Sequence, residues 1–115
     1  MRKTIVRYEL ALRQYGRSER VFDHLLAQSP DDGLLWYAKG EVYRLRDEAD
    51  DLGRAAEAYA KALAVANAPA ETYRSIMLVE LKRGDRARAQ DALASYLAHR
   101  PDAADAGALK MLISQ

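Results

Sequence analysis

Small and apolar residues recur along three stretches of the chain with the spacing of an α-helix. In each stretch they occupy positions i, i+3, i+4, i+7 and i+8, which lie on one face of a helix with 3.6 residues per turn. The sequence therefore predicts three amphipathic helices. Their stripes are Ser18, Val21, Phe22, Leu25 and Leu26; Ala55, Ala58, Tyr59, Ala62 and Leu63; and Ala89, Ala92, Leu93, Tyr96 and Leu97.

Helix-breaking residues divide the rest of the chain into short segments. The breakers are Tyr15-Gly16, residues 29–33, residues 47–53, residues 67–69, residues 83–85 and residues 100–102. The chain has 22 alanines and 15 leucines but only ten valines, isoleucines and threonines. Because β-branched side chains lose rotamer freedom in helices, this balance favours an all-α fold.

The three stripes can be superposed on one another. Phe22, Tyr59 and Leu93 correspond, at offsets of 37 and 34 residues. The segments before the stripes repeat as well, since Trp36, Gly40 and Tyr43 are matched 37 residues later and more loosely by the start of the chain. The matching residues are Tyr73, Met77 and Glu80, with Ile5, Tyr8 and Leu12 as the first copy. A period of about 34 residues predicts a stack of helix pairs.

With these residues the sequence resembles the tetratricopeptide repeat family. The middle repeat carries Trp36, Gly40, Tyr43, Ala55, Tyr59, Ala62 and Leu63, and the third carries Tyr73, Ile76, Gly84-Asp85, Ala89, Leu93, Leu97 and Pro101. Lys39, Met77 and Glu80 depart from the pattern, the middle repeat has an insertion near residues 47–51, and the first is shortened around Gly16.

The resemblance implies one all-α domain over residues 1–115, a right-handed superhelical stack of antiparallel helix pairs. Three repeats are expected at about 3–32, 33–69 and 70–102, followed by a capping helix at 103–114. The total is about seven helices.

Length and charge place few limits on function. The chain has 115 residues, no cysteine and a formal net charge of +1, so a disulfide framework and an all-cysteine zinc site are excluded. No signal peptide can be read, because Arg7 and Glu9 interrupt the apolar stretch, and no apolar run approaches a membrane span. We expect a soluble cytoplasmic protein, and the Ala/Arg/Asp-rich composition suggests a bacterial one.

Residues with catalytic or metal-binding chemistry form no recognisable motif. His24 and His99 lie in different predicted repeats, and there is no nucleophile elbow or glycine-rich phosphate loop. The acidic stretch at residues 47–51 is either a cation site or a solvated turn in which Asp50 or Asp51 caps the next helix; it lacks EF-hand spacing. The basic cluster at residues 82–88 is either a nucleic-acid patch or a solvated turn. We expect no enzyme activity, cofactor, metal or nucleic-acid ligand.

In a stack of this kind the first helix of each repeat lines a concave groove, whose residues can be read by helical period. They are Lys3, Val6, Arg7, Leu10, Arg13 and Gln14; Leu34, Tyr37, Ala38, Glu41, Arg44 and Leu45; and Glu71, Arg74, Ser75, Leu78, Leu81 and Lys82. Six are basic and two acidic, so this groove sums to +4 in a chain of +1. The alternative is a polar inner face whose arginine stems cover apolar surface.

These observations predict a non-catalytic protein-interaction module that binds a partner peptide. The expected ligand is acidic or has a free C-terminus, with Arg44 and Arg74 as anchors. Its main contacts are Arg7, Arg13, Leu34, Tyr37, Glu41, Arg44, Arg74, Leu78, Leu81 and Lys82. The carboxylate clamp of some family members is not carried over, since Asn67 is the only asparagine. A regulatory or targeting subunit of an enzyme and a self-association module are alternatives, and the oligomeric state stays open.

Overall fold

A computed structural model describes the backbone of residues 2–115 and the side chains of residues 10–115. Within that part of the chain the fold is all-helical, as the sequence predicts. The helices are α1 (Arg2–Gln28), α2 (Gly33–Arg46), α3 (Asp51–Ala64), α4 (Glu71–Arg83), α5 (Arg86–His99) and α6 (Ala106–Ser114). The only extended pairing in residues 2–115 is an isolated bridge between Asp32 and Ala66, in the turns that precede α2 and follow α3.

The prediction of a helix pair in the first repeat is wrong. Residues 2–28 form one continuous helix through Tyr15 and Gly16, so the described chain has six helices rather than about seven. Gly16 does not adopt the positive φ of a turn; Gly84 is the glycine that does. A glycine inside a helix costs about 0.5–1 kcal/mol relative to alanine, which helical residues on both sides can offset.

The turns around α4 and α5 show why these helices begin and end where they do. Gly84 adopts φ +84° and donates its N–H to the carbonyls of Glu80 and Leu81, which ends α4. Asp85 then accepts a hydrogen bond from the backbone N–H of Arg88 and caps α5. Glycine suits the left-handed conformation, and aspartate satisfies a free N–H at a helix start.

Successive helices pack against one another, and α2 also contacts α4. The core consists of two clusters. Tyr43, Ala55, Tyr59 and Val79 join α2, α3 and α4, whereas Met77, Ala89, Ala92, Leu93, Tyr96 and Leu109 join α4, α5 and α6. The predicted stripes of α3 and α5 are therefore largely buried.

The predicted stripe of residues 18–26 is buried less completely. Leu26 is buried, but Val21 is 54% exposed and Leu25 37% exposed. The reason is that α2 is the main packing partner of α1, whereas α3 and α5 each lie between two other helices.

The predicted C-terminal helix is present as α6. Its Leu109 is buried against α4 and α5, and the backbone carbonyl of Ile113 accepts a hydrogen bond from Arg86. Met111 and Leu112 stay exposed, at 66% and 44%. The helix thus covers one end of the core while leaving two large apolar side chains in solvent.

Candidate functional site

The predicted ligand residues of α2 and α4 are brought together because these two helices lie side by side. Ser75 Oγ donates a hydrogen bond to Glu41 Oε1 at 2.6 Å, and Lys82 Nζ lies 2.9 Å from Asp47 Oδ2. The two contacts join residues 34 and 35 positions apart, so the two helices run parallel with nearly the same offset at both contacts. We call the exposed side of this pair the α2–α4 surface; it comprises Leu34, Tyr37, Glu41, Arg44, Arg74, Leu78 and Lys82.

Glu41 joins three helices rather than offering a free carboxylate. Besides Ser75, its Oε1 accepts hydrogen bonds from the Tyr59 hydroxyl at 2.6 Å and from Arg44 Nε at 3.2 Å. Burial raises the pKa of Glu41, but the hydrogen bonds from Arg44, Ser75 and Tyr59 outweigh it and hold the pKa below its ordinary value. Glu41 is therefore a structural anion that ties α2 to α3 and α4.

Tyr37 and Tyr59 form the aromatic part of the same region. Their ring centroids lie 6.1 Å apart in a tilted arrangement, which is favourable for aromatic pairs. Burial and the nearby Glu41 carboxylate raise the pKa of both hydroxyls. Tyr59 is fully buried, but Tyr37 is half-buried and can contact a ligand.

The bases predicted as ligand anchors are held by acids of the chain itself. Arg44 forms a two-point contact with Glu41, with Nη2 2.7 Å from Oε2. Arg74 Nε lies 2.6 Å from Asp105 Oδ2, and Lys82 is paired with Asp47. Three of the six predicted bases are therefore paired with acids of the chain, and two of these acids, Asp47 and Asp105, lie outside the predicted set.

Three other predicted contacts lie elsewhere. Leu81 packs against the cluster of Met77 and Leu93 and belongs to the core. Arg13 lies on an exposed part of α1, a helix that contacts α2. The side chain of Arg7 falls outside the described residues.

Sequence reasoning missed a groove on the other side of α4. It runs between α3 and α5, has a volume of about 330 Å³ and is mostly apolar; we call it the α3–α5 groove. Its apolar lining includes Ala56, Ala60, Leu63, Ile76, Val79 and Ala92. Ala56, Ala60 and Leu63 recur at i, i+4 and i+7, and this second stripe was the available signal for an apolar row beside the buried stripe of α3.

The acidic stretch and the basic cluster have structural roles. Asp51 is buried and forms two hydrogen bonds with Arg46, which also contacts Glu19 of α1 at 2.9 Å. Asp50 occupies the N-cap position of α3 but makes no side-chain cap bond. In the basic cluster, Arg83 is paired with Glu80, and Lys82, Arg86 and Arg88 likewise have partners within the chain.

The histidines make local contacts. The Nε2 atoms of His24 and Gln28 lie 3.3 Å apart. His99 stacks on Tyr73 and contacts the carbonyl of Ser95. Residues whose side chains are described contain no group of three potential metal ligands. In the same part of the chain, no helix combines the length and the apolar character needed to cross a bilayer.

The chain matches no protein-family model, and no curated protein is significantly similar to it in sequence. A functional proposal therefore rests on the arrangement of its helices, surfaces and charges.

Proposed function

We propose that the chain is a non-catalytic protein-interaction module built from tetratricopeptide-like helix pairs. The observation that carries this proposal is the register of α2 and α4. Their contacts through Glu41–Ser75 and Asp47–Lys82 join residues 34 and 35 positions apart, close to the period of the sequence. In this view α2 with α3 and α4 with α5 are two successive repeats, and α6 follows in the position of a third first helix.

A partner peptide would bind along the α2–α4 surface. Leu34 is 53% exposed there, and the half-buried Tyr37 and Leu78 add apolar area between charged groups. An extended peptide with acidic residues or a free C-terminus fits this mixture of apolar contact and guanidinium groups. Because the surface is open to solvent, such binding would be weak and salt-sensitive.

The two proposed anchors differ in how easily they can take a ligand carboxylate. Arg44 makes a bidentate contact with the half-buried Glu41, which also holds Tyr59 and Ser75. Arg74 is paired with Asp105, and both side chains are about one third exposed. An exposed ion pair contributes little stability, so it can be exchanged for a ligand at small cost. Arg74 is therefore the better anchor.

The experiment compares three charge variants for binding of a partner isolated from cells of the source organism. Arg74→Glu should weaken binding by about tenfold or more. Arg54→Glu should have an effect below about twofold, because Arg54 is an exposed residue of α3. Asp105→Asn breaks the same intramolecular pair as Arg74→Glu but frees Arg74, so it should leave binding unchanged or strengthen it.

The third variant separates an anchor from a structural residue. If Asp105→Asn weakens binding as much as Arg74→Glu does, the ion pair supports the fold and Arg74 is not an anchor. If no variant changes the affinity, or if salt has no effect on it, the ligand does not bind at the α2–α4 surface and the α3–α5 groove takes its place.

Self-association is a second candidate function, favoured by the exposed Met111 and Leu112 of α6. An apolar helix face of this kind can be covered by a second copy. Light scattering of the chain and of Met111→Asp would distinguish a dimer that depends on α6 from a monomer.

A further inference from the structure

Three arginines form a row on the exposed face of α1. Arg13, Arg17 and Arg20 are spaced i, i+4 and i+7, which places them within about 60° of one another around the helix. All three are exposed. With Leu12 and Gly16 they line an open depression of about 460 Å³. We call this row the α1 arginine row.

The α1 arginine row is a cluster of three neighbouring bases that have no acidic partner among the side chains of residues 10–115. Among residues 10–115, ten lysines and arginines form ion pairs with acids of the chain. Arg86 instead donates to the carbonyl of Ile113, and Lys110 is a single exposed base that forms no ion pair with a described acid. Arg13, Arg17 and Arg20 make no ion pair with any acid whose side chain is described. Most lysines and arginines among residues 10–115 are thus neutralised by a nearby acid, whereas the three positive charges of the α1 arginine row are not.

The packing of α1 against α2 explains this imbalance. The acids on this part of α1 face α2, where Glu19 contacts Arg46 and Tyr43, and Asp23 contacts Lys39 at 2.7 Å. The acids are thus engaged across the interface, whereas the arginines lie between about 60° and about 160° away from them around the helix and point away from α2. The helix is neutralised on one face only.

Apolar side chains lie next to the row. Leu10 and Val21 are 50% and 54% exposed, and helical geometry places both within about 60–80° of Arg13 on the same flank. A ligand that fits this face has carboxylates opposite the guanidinium groups and apolar side chains beside them. An amphipathic helix with acidic residues at i, i+4 and i+7 has that pattern.

We propose that α1 carries a second interaction surface, separate from the α2–α4 surface, which binds an acidic amphipathic helix of a partner protein. Nucleic acid is a poorer fit, because the row spans only about 10 Å and contains no aromatic side chain for base stacking. A membrane surface is a poorer fit as well, because Gln14 and Arg17 interrupt the apolar flank that would have to insert.

The test uses a fluorescein-labelled synthetic helix that carries glutamates at i, i+4 and i+7 beside a leucine stripe. A second peptide with glutamine at the same positions is its control. Fluorescence anisotropy should show about tenfold tighter binding of the glutamate peptide. Raising the salt from about 50 mM to about 300 mM should remove most of that difference, since the charges are solvent-exposed.

Two triple variants locate the binding site. Replacing Arg13, Arg17 and Arg20 with glutamine should weaken binding of the glutamate peptide by about tenfold. The matched control replaces Arg54, Lys61 and Arg88, which are equally charged and exposed but are paired within the chain. It should weaken binding by less than about threefold. A third variant with lysine at the three row positions should fall between these, because lysine keeps the charge but loses the bidentate contact.

Equal losses in the two glutamine variants would show a non-specific charge effect and overturn the proposal. So would equal binding of the two peptides to the wild-type chain. A single-stranded oligonucleotide and phosphatidylserine vesicles are tested in the same way. If either binds more tightly than the peptide, and the binding depends on the three arginines, that class of ligand and not an acidic helix is the partner of α1. Circular dichroism checks that each variant is folded. The Arg74→Glu variant should bind the glutamate peptide as tightly as the wild type does. A lack of binding that depends on the α1 arginine row would therefore overturn the α1 proposal without affecting the proposed function of the α2–α4 surface.

Discussion

The ring of Tyr59 lies directly over Gly40, in the space where any other residue would place its Cβ. A Cβ at position 40 would lie 2.6 Å from Tyr59 Cδ1, closer still to Cε1, and 3.0 Å from Cζ. Tyr59 is completely buried and its hydroxyl is bound to Glu41, so the ring cannot move aside. The absence of a side chain at Gly40 therefore lets α2 and α3 approach closely.

Gly40→Ala should destabilise the fold. Overpacking of a closed contact costs about 1–3 kcal/mol, which outweighs the gain of about 1 kcal/mol that alanine brings to a helix interior. Thermal unfolding followed by circular dichroism should show a melting temperature lower by several degrees. The control is Gly53→Ala, where a Cβ meets nothing within 4 Å; it should be neutral or stabilising. Equal melting temperatures for the two variants would contradict the close contact.

Gly16→Ala should stabilise the chain. Position 16 is inside α1, and a Cβ there would meet only the end of the Arg20 side chain at 3.7 Å. Removing a glycine from a helix interior gains about 0.5–1 kcal/mol. Urea denaturation measures the change in unfolding free energy. A loss of stability would instead indicate a turn at Gly16, as the sequence alone predicts.

Glu41→Gln should reduce stability at neutral pH and have less effect in acid. The folded chain holds the pKa of Glu41 below its ordinary value, so the carboxylate stabilises the fold above its unfolded pKa. That contribution is lost as the pH falls through the folded pKa. Urea denaturation of both proteins between about pH 7 and about pH 3 should therefore show a shrinking difference in unfolding free energy. A difference that stays constant with pH would contradict the role of the charge.

Asp105→Asn should loosen α6 without unfolding the rest of the chain. Asp105 precedes α6 and accepts hydrogen bonds from Arg74 at 2.6 Å and from the Tyr96 hydroxyl at 3.2 Å. The bond from Arg74 also holds the pKa of Asp105 below its ordinary value. Hydrogen exchange of residues 106–114 should become faster while α2 is unchanged. The melting temperature should fall only slightly, because an exposed ion pair contributes less than about 1 kcal/mol.

The control for this prediction is Asp102→Asn. Asp102 is exposed and forms no hydrogen bond or ion pair with the described residues. Its variant should leave the exchange of α6 as it is in the wild type. Faster exchange in both variants would mean that the charge of the segment, rather than the Asp105 contacts, holds α6.

Periodicity was enough to predict the helices that lie between others. The stripes of α3 and α5 are buried because each helix packs on two neighbours. Each of these helices therefore needs a wide apolar face, which appears in the sequence as a clear helical period. The helix break predicted at Gly16 is wrong because a single glycine destabilises a helix only slightly. Contacts along the whole segment decide whether the helix continues through it.

The charges of the candidate site could not be predicted in the same way. Helical period predicts that Arg44 and Arg74 lie on corresponding sides of neighbouring helices, but it does not predict which acid each of them contacts. Asp105 is 31 residues from Arg74 and reaches it only through the position of α6. The pairing of charges is a property of the tertiary fold, and it changes which bases can bind a ligand.

The exposed Met111 makes α6 a place where an engineered variant can carry an additional helix. Met77, 34 residues earlier, is completely buried where α5 covers α4, whereas Met111 has no such cover. A fusion that appends a copy of residues 82–99, which contain the Gly84-Asp85 turn and α5, after Gln115 would keep the offset of 34 residues and give α6 the same neighbour. Further helices could then be added to the engineered chain one at a time.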